Sequence, residues 1–566
     1  MKGWNKLKKY VMADLSQDTI SFSLGHWETD VHSGTSEQKT ESKHTNMPQV
    51  APLLGDCGST RMAVRINENV DWLKQQFSYP QNSDLVFRPF AVGRDSTQGM
   101  VVYLENQIDW QHLNETVIKP LISTNHSQEL PVDVHTMKFL ILTNCHITST
   151  TVLGDIVQNI LAGSAAIIVD GLDTAVIADV SGGEKRSLES PKTESVIRGQ
   201  QVGFTEDLPT NLSMIRRRLK TPDLIIESGN VGKISRTRIS IVYLKSITNV
   251  EIVEEVRRRI SSIQVDYIGD SGMVEQMIED SPNSIYPGLL ATERPDRLAA
   301  LVADGYVGIL VDNSPYALIA PTNFPLFLQT SEDAYLRWQF GSFLRIIRLI
   351  GFVFSLYLPA VYIALANYHQ EMIPTALILA IANTRETVPL PVAAEAFLLE
   401  SMFELIREAG VRIPSVIGPT IGIVGALILG QAAVQANIVS PIVVIITSVT
   451  ALASYTIPNY SMQFSTRILR FVFLGCASFL GLIGVILMSI MLWLNWMSKN
   501  RFGVPALAPI SPRRPSNDTI LRGSMQQQTM RAISARPRQS TKIPDEKTDG
   551  QGGSHSLPPE QGGTTP

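Results

Sequence analysis

Residues 349–497 return repeatedly to long apolar runs, and the 54 residues from 413 to 466 contain no Asp, Glu, Lys or Arg. A helix crossing the apolar layer of a bilayer needs roughly 20 such residues, so this interval alone has room for two crossings. Spans are predicted at 349–366, with Pro359 as a kink, and at 416–434, 438–456 and 471–497. Residues 372–383 are apolar but too short to cross, and Pro374 interrupts their start, so they read as a re-entrant or interfacial segment. Arg345 and Arg348 precede the first span and ten Lys or Arg follow residue 498, which by the positive-inside bias places both flanks in the cytoplasm. Four crossings satisfy both flanks but leave Arg467 and Arg470 near the outer face, so five or six stay open.

Before the first span the pattern changes to alternating short elements. Helical spacing at 62–77 and 108–123 and strand-like runs at 99–104 and 138–142 predict an α/β unit. The stretch IIVDGLDTAVIADV from Ile167 aligns with ILVDNSPYALIAPT from Ile309, an offset of 142, with Asp170/Asp312, Ala175/Ala317 and Ile177/Ile319 among the identities. Each copy is an apolar run, a turn of Asp, Asn, Gly or Pro, and a second apolar run, the grammar of a β-hairpin. The second unit adds helices at 212–219, 250–260, 273–279 and 295–303 and strands at 224–227 and 238–244. The expected fold is an α/β soluble region of two related subdomains followed by an all-α polytopic membrane domain. Its boundaries are a disordered segment 1–60, subdomains 61–180 and 211–330 joined by a Gly- and Pro-containing linker 181–210, a transmembrane domain 340–500, and a basic, largely disordered tail 501–566.

Composition narrows the function. Mean hydropathy of +0.08 and 18% charged residues describe a soluble part joined to a membrane part. The four lysines near the N-terminus have no apolar stretch behind them, which argues against a secretory signal and for a cytoplasmic soluble region. A net charge of −4 gives no reason to expect a nucleic-acid partner, and Cys57, Cys145 and Cys476 lack the spacing of a disulfide framework or zinc site. No phosphate-binding loop or dinucleotide fingerprint is present. GDSG at 269–272 is read as a helix start with Ser271 as N-cap, and His369 with Glu371 as a polar helix end, so no catalytic residue, metal or cofactor is expected.

The chemistry worth testing sits in 391–407, apolar on most sides yet holding Glu395, Glu400 and Glu404. Glu400, Glu404 and Glu408 share one helical stripe, with Glu395 roughly opposite. A carboxylate at membrane depth is costly unless it meets water, a cation or a partner, so such groups line a pathway or pair with arginine. An amphipathic helix on the membrane surface, with its acids in water, is the other reading. Gly418, Gly422, Gly425 and Gly430 are candidates for close helix packing. Arg216, Arg217 and Arg218 form a basic run for which salt bridges to Glu206 and Asp207, or docking on another subunit or lipid, are expected.

Six phrases carry a resemblance: SVIRGQQVGFTEDLPTNLSMIRRRL from Ser195, TERPDRLA from Thr292, GSFLRIIRLIG from Gly341, YHQEMIPT from Tyr368, GQAAVQANIVSP from Gly430 and IPNYSM from Ile457. In this order they resemble the A subunits of GerA-type spore germination receptors, over about residues 61–522. The resemblance implies a non-enzymatic receptor of the spore inner membrane, working with a transporter-like B subunit that binds the germinant and a lipoprotein C subunit. It further implies a homo-oligomeric ring in lipid whose helices form a germinant-gated cation path, with a non-conducting signalling scaffold as the alternative. Arg198, Arg216, Arg217, Arg218, Glu293, Arg294 and Asp296 then become candidate interdomain or subunit contacts.

Overall fold

The computed structural model describes residues 60–92, 97–123, 133–142, 146–182, 190–412, 430–512 and 518–542. Nearly all of the 1–60 segment, Gly418, Gly422 and Gly425 with most of the predicted 416–434 span, and the end of the tail lie outside the described residues. In α1 (Ile66–Gln76), Ile66, Asn69, Val70 and Leu73 recur at helical spacing and face inward. There follow β1 (Leu85–Val92), β2 (Thr97–Leu104), a helical stretch from Trp110 to Ser123, β3 (Ile147–Thr150), α2 (Leu153–Ala162), β4 (Ser164–Val169) and β5 (Ala175–Asp179). The strands form one antiparallel sheet in the order β1-β2-β4-β5-β3, with apolar clusters on both faces.

The second unit repeats the first. It comprises α3 (Leu208–Arg218), β6 (Leu224–Val231), β7 (Thr237–Leu244), α4 (Val250–Ser261), α5 (Ser271–Ile278), β8 (Leu290–Thr292), α6 (Pro295–Ala303), β9 (Val307–Val311) and β10 (Ala317–Ala320). Its sheet runs β6-β7-β9-β10-β8, the same order strand for strand. The two hairpins read in the sequence are β4–β5 and β9–β10, and Ala166 opposite Ile177 matches Gly308 opposite Ile319. The offset of 142 extends beyond them. Asn69 clamps the backbone of Ala63, accepting from its N–H at 2.9 Å and donating to its carbonyl at 2.7 Å; Asn211 does the same to Thr205 at 2.8 and 2.6 Å. Asp170 accepts from the N–H of Ile66 at 2.9 Å, and Asp312 from that of Leu208 at 3.2 Å, so each caps the first helix of its own unit.

Two local readings change. Residues 138–142 are not a strand: Asp133 caps a helix at Val134–Thr136 that continues through Met137–Ile141, burying Met137 and Ile141 four apart while Phe139 is 71% exposed. A short unbroken apolar run cannot separate the two periods by itself. The N-cap of α5 is Asp270, which accepts from the N–H of Gly272, while Ser271 is the first helical residue and accepts at 2.8 Å from the hydroxyl of Ser314.

Helical structure takes over with α7 (Trp338–Tyr368), which contains Pro359, followed by α8 (Thr375–Arg385), α9 (Val392–Arg412), α10 (Pro441–Tyr455) and α11 (Tyr460–Ser498). α7 and α11 are long and apolar enough to cross a membrane. α11 is not one rod. Gly481 has φ +60° and ψ −141°, and the hydroxyl of Ser465 donates to Ile285 O at 2.6 Å while Trp496 stacks on Tyr286 at 4.2 Å. A straight helix would part residues 465 and 496 by about 46 Å, so α11 folds back at Gly481 into two arms, each about as long as a bilayer core is thick. The turn sits against Tyr368, whose hydroxyl donates to Ser478 O at 2.6 Å. Arg467 and Arg470, placed near the outer face by a four-crossing count, therefore lie toward the soluble region.

After α11 the short strands β11 (Asn500–Arg501) and β12 (Val504–Pro505) insert Phe502 and Val504 into the core of the second sheet. Residues 518–542 then run back over it: Tyr306 bonds Ser534 at 2.6 Å, Arg538 N–H donates to Ile247 O at 2.7 Å, and Lys542 pairs with Asp304 at 2.7 Å. A largely disordered tail was expected here; composition registers the basic residues but not the carbonyls and carboxylates that receive them.

Candidate functional site

The charged side chains singled out in the sequence fall into two settings, the seams of the soluble region and the interior of the helical region. At the first seam the whole Arg216 side chain is buried and forms a fork on Asp84, with Nε and Nη2 each 2.9 Å from a carboxylate oxygen, and Nη2 also donates to Asn82 at 2.9 Å. It thus ties α3 to the turn before β1, across the two subdomains, instead of meeting Glu206 or Asp207; Asp207 is occupied in capping α3. Arg217 is exposed, and Arg218 donates to Gln200 at 3.0 and 2.7 Å.

The remaining seam residues hold the linker. Glu293 accepts from the backbone of Lys192 at 2.7 Å and Thr193 at 3.1 Å. Arg294 pairs with Asp296 at 2.8 Å and donates to the carbonyls of Glu194 and Gln200. Arg198 contributes its backbone N–H to Glu332 at 3.3 Å. Arg297, missed at first, pairs with Glu194 at 2.6 Å and bonds the carbonyls of Leu326 and Gln329; its place in the phrase TERPDRLA was the available signal.

Within the helical region α9 brings its three glutamates to three different environments. Glu395 is fully buried, accepts from the Ser440 N–H ahead of α10 at 2.7 Å, and has Arg385 of α8 3.6 Å away. Glu400 is buried against Arg470 at 3.1 Å. Glu404 is shared by Arg467 at 2.9 Å, Arg470 at 3.2 Å and Arg407 at 3.3 Å. The i, i+4 stripe predicted for Glu400 and Glu404 is what lets one arm of α11 meet both. Glu404, Arg407 and Arg467 also edge a groove of about 1770 Å³ with apolar walls from α9, α10 and α11. Gly430 borders the same groove, and a Cβ added there would meet Val444 at 3.8 Å, an ordinary contact.

Where α11 returns to the soluble region, a further charged group forms that the sequence did not signal. Arg501 is 4% exposed, and burial lowers it to about 10 against the raising influence of Glu279, Asp280 and Glu275. Burial, reinforced by Glu279, pushes the Glu275 carboxyl up to about 7. Asp280 accepts from the Phe502 N–H at 3.0 Å and pairs with Arg259, whose guanidinium lies 4.1 Å over the Phe502 ring.

Comparison with known proteins supplies what this geometry alone does not. Residues 71–535 match the family model for "Bacillus/Clostridium GerA spore germination protein". The chain belongs to the GerA family. Among curated relatives of this GerA-family chain, spore germination protein KA of Bacillus subtilis (strain 168) is 40% identical over 76% of the chain and 79% of the relative. Spore germination protein GerLA of Bacillus cereus is 41% identical over 76% and 87%. The N-terminal domain of the A subunit of the Bacillus megaterium spore germinant receptor GerK3, known from a crystal structure, is 28% identical with a TM-score of 0.35, covering 47% of this chain and 98% of that one.

Proposed function

We propose that this GerA-family chain is the A subunit of a nutrient-sensing spore germination receptor, inserted in the spore inner membrane with its soluble region in the cytoplasm, beside a transporter-like B subunit and a lipoprotein C subunit. The chain assembles with copies of itself, and its helices contribute a germinant-gated path for cations. Supporting this reading, three carboxylates lie within the helical region, two of them buried, and each is neutralised by arginine from a neighbouring helix. Such groups are expensive in an apolar layer and mark ion routes or tight pairs. Germinant binding elsewhere favours the open assembly by the difference in affinity between its two states. The test is K⁺ release from the reconstituted receptor with Glu395, Glu400 and Glu404 changed singly to Gln. At least one change is expected to cut release tenfold or more; three unaltered rates remove these residues from the path.

The complete pairing of these carboxylates within one chain also favours a second reading, a non-conducting scaffold in which the pairs only lock helices together. That reading requires wild-type receptor in vesicles to release no K⁺ on adding germinant. A mass measurement of the detergent-solubilised complex bears on both, because a single copy leaves no ring.

A further inference from the structure

On the elements that meet near Glu395, four buried polar atoms have no hydrogen-bond partner among the described residues: Glu395 Oε1 itself, Arg385 Nε on α8, Tyr362 Oη on α7 and Ser440 Oγ ahead of α10. Glu395 has no solvent exposure at all, and its other oxygen is used by the Ser440 N–H at 2.7 Å. The Tyr362 hydroxyl lies within electrostatic reach of both Arg385 and Glu395. Buried polar groups are ordinarily satisfied, so four orphans at one junction of α7, α8, α9 and α10 point to a ligand that these groups are built to meet.

The ligand's chemistry follows from the donors. A carboxylate, a phenol and a hydroxyl are hard oxygen ligands with one negative charge among them, a set suited to a cation of single charge. Arg385 supplies such a charge, but loosely: its Nε stands 3.6 Å from Glu395 Oε1, outside hydrogen-bond reach, and its side chain retains 26% exposure. The arginines of α11 stand closer to Glu400 and Glu404, at 2.9–3.2 Å, although Glu400 Oε1 and Arg470 Nη1 also lack a hydrogen-bond partner among the described residues. We propose that Glu395, Tyr362 and Ser440 form a binding site for one dehydrated monovalent cation, and that Arg385 occupies it in this conformation as a tethered counter-charge that must withdraw before the ion enters. The site's part in permeation rests on the conducting reading above; its capacity to bind an ion does not.

Two measurements on full-length protein separate these claims. The first is thermal unfolding of the detergent-purified chain in rubidium chloride against choline chloride at equal ionic strength. Arg385→Gln is expected to gain several degrees of Tm in rubidium, the gain vanishing in Arg385→Gln/Glu395→Gln and shrinking in Arg385→Gln/Tyr362→Phe, while wild type and Arg385→Lys respond equally to both salts. The second is Rb⁺ efflux from vesicles holding the whole receptor without germinant, expected to rise at least tenfold in Arg385→Gln and to fall back when Glu395→Gln is added. An Arg385→Gln chain that folds, shows no rubidium-specific stabilisation and does not leak overturns the site, even if the wild-type receptor conducts on germinant. A rubidium-specific Tm gain with no flux from any receptor keeps the site and sinks the conducting reading. Should Arg385→Gln fail to fold, Arg385→Met against Arg385→Met/Glu395→Gln in the same salts decides: a rubidium-specific gain in Tm is expected in the single variant and not in the double, and its absence from the single variant overturns the proposal.

Discussion

Arg216 shows how much one side chain can decide. Its fork on Asp84 is buried on both partners, so removing either leaves an unpaired charge in a dry seam, whereas removing both removes the problem. Arg216→Ala is expected to destabilise the soluble region by about 3–5 kcal/mol, and Arg216→Ala with Asp84→Ala by clearly less than the two single costs together, read from denaturant unfolding. Glu275 makes a different prediction because its carboxyl is pushed above its unfolded value. A group raised in this way favours folding while protonated, so its contribution is full below about pH 4 and is lost as pH rises through about 7. Glu275→Gln should flatten the decline in stability between pH 5 and 8 and exceed wild type by about 1–2 kcal/mol at pH 8. An unchanged pH profile in the variant would show that Glu275 titrates like a solvated acid. The clamps made by Asn69 and Asn211 are the same device used twice, and either change to Ala should cost a similar amount.

Among the elements, the fold-back of α11 depends most on one residue. At Gly481 the backbone adopts a φ of +60° that side chains resist, and an added Cβ would stand 2.9 Å from the ring of Tyr368. Gly481→Ala is therefore expected to lower stability by about 1–3 kcal/mol and to loosen the hairpin. Cysteines placed on facing positions of the two arms should then crosslink more slowly than in the parent; an equal rate would mean the turn tolerates a side chain. The hairpin also explains why α9 can be gripped so firmly, since its first arm presents Arg467 and Arg470, three apart, to Glu400 and Glu404, four apart on the facing helix.

For the whole molecule, the apolar core of the second subdomain continues without a break into the helices through Phe324, Phe352 and Trp496. The soluble and helical regions are therefore mechanically joined, at the start of α7 and again at the end of α11. The returning segment reinforces the first joint: Asp333 receives Arg345 at 3.0 Å and Arg348 at 2.8 Å, Asp518 takes the other end of Arg345, and Arg522 bonds the carbonyls of Asp333 and Leu336. Deleting the chain from residue 518 onward should increase hydrogen exchange at 331–348 by tenfold or more while leaving the first sheet unchanged. Protection that stays at the wild-type level there would mean the joint holds by its own contacts.

Local order along the chain already determined a good deal: the apolar runs, the α/β alternation, the hairpin repeat at an offset of 142 and the glutamates of α9 all follow from periodicity and from the cost of exposing apolar or burying charged groups. The family, too, was legible in short ordered phrases. Partners were not. That Arg216 meets Asp84, that Arg385 faces Glu395, that α11 doubles back and that the basic tail is received by the second subdomain each join residues far apart in the chain. A pairing of that kind is settled by which surfaces the packed helices and sheets bring within a few ångströms, and only the tertiary structure contains those distances.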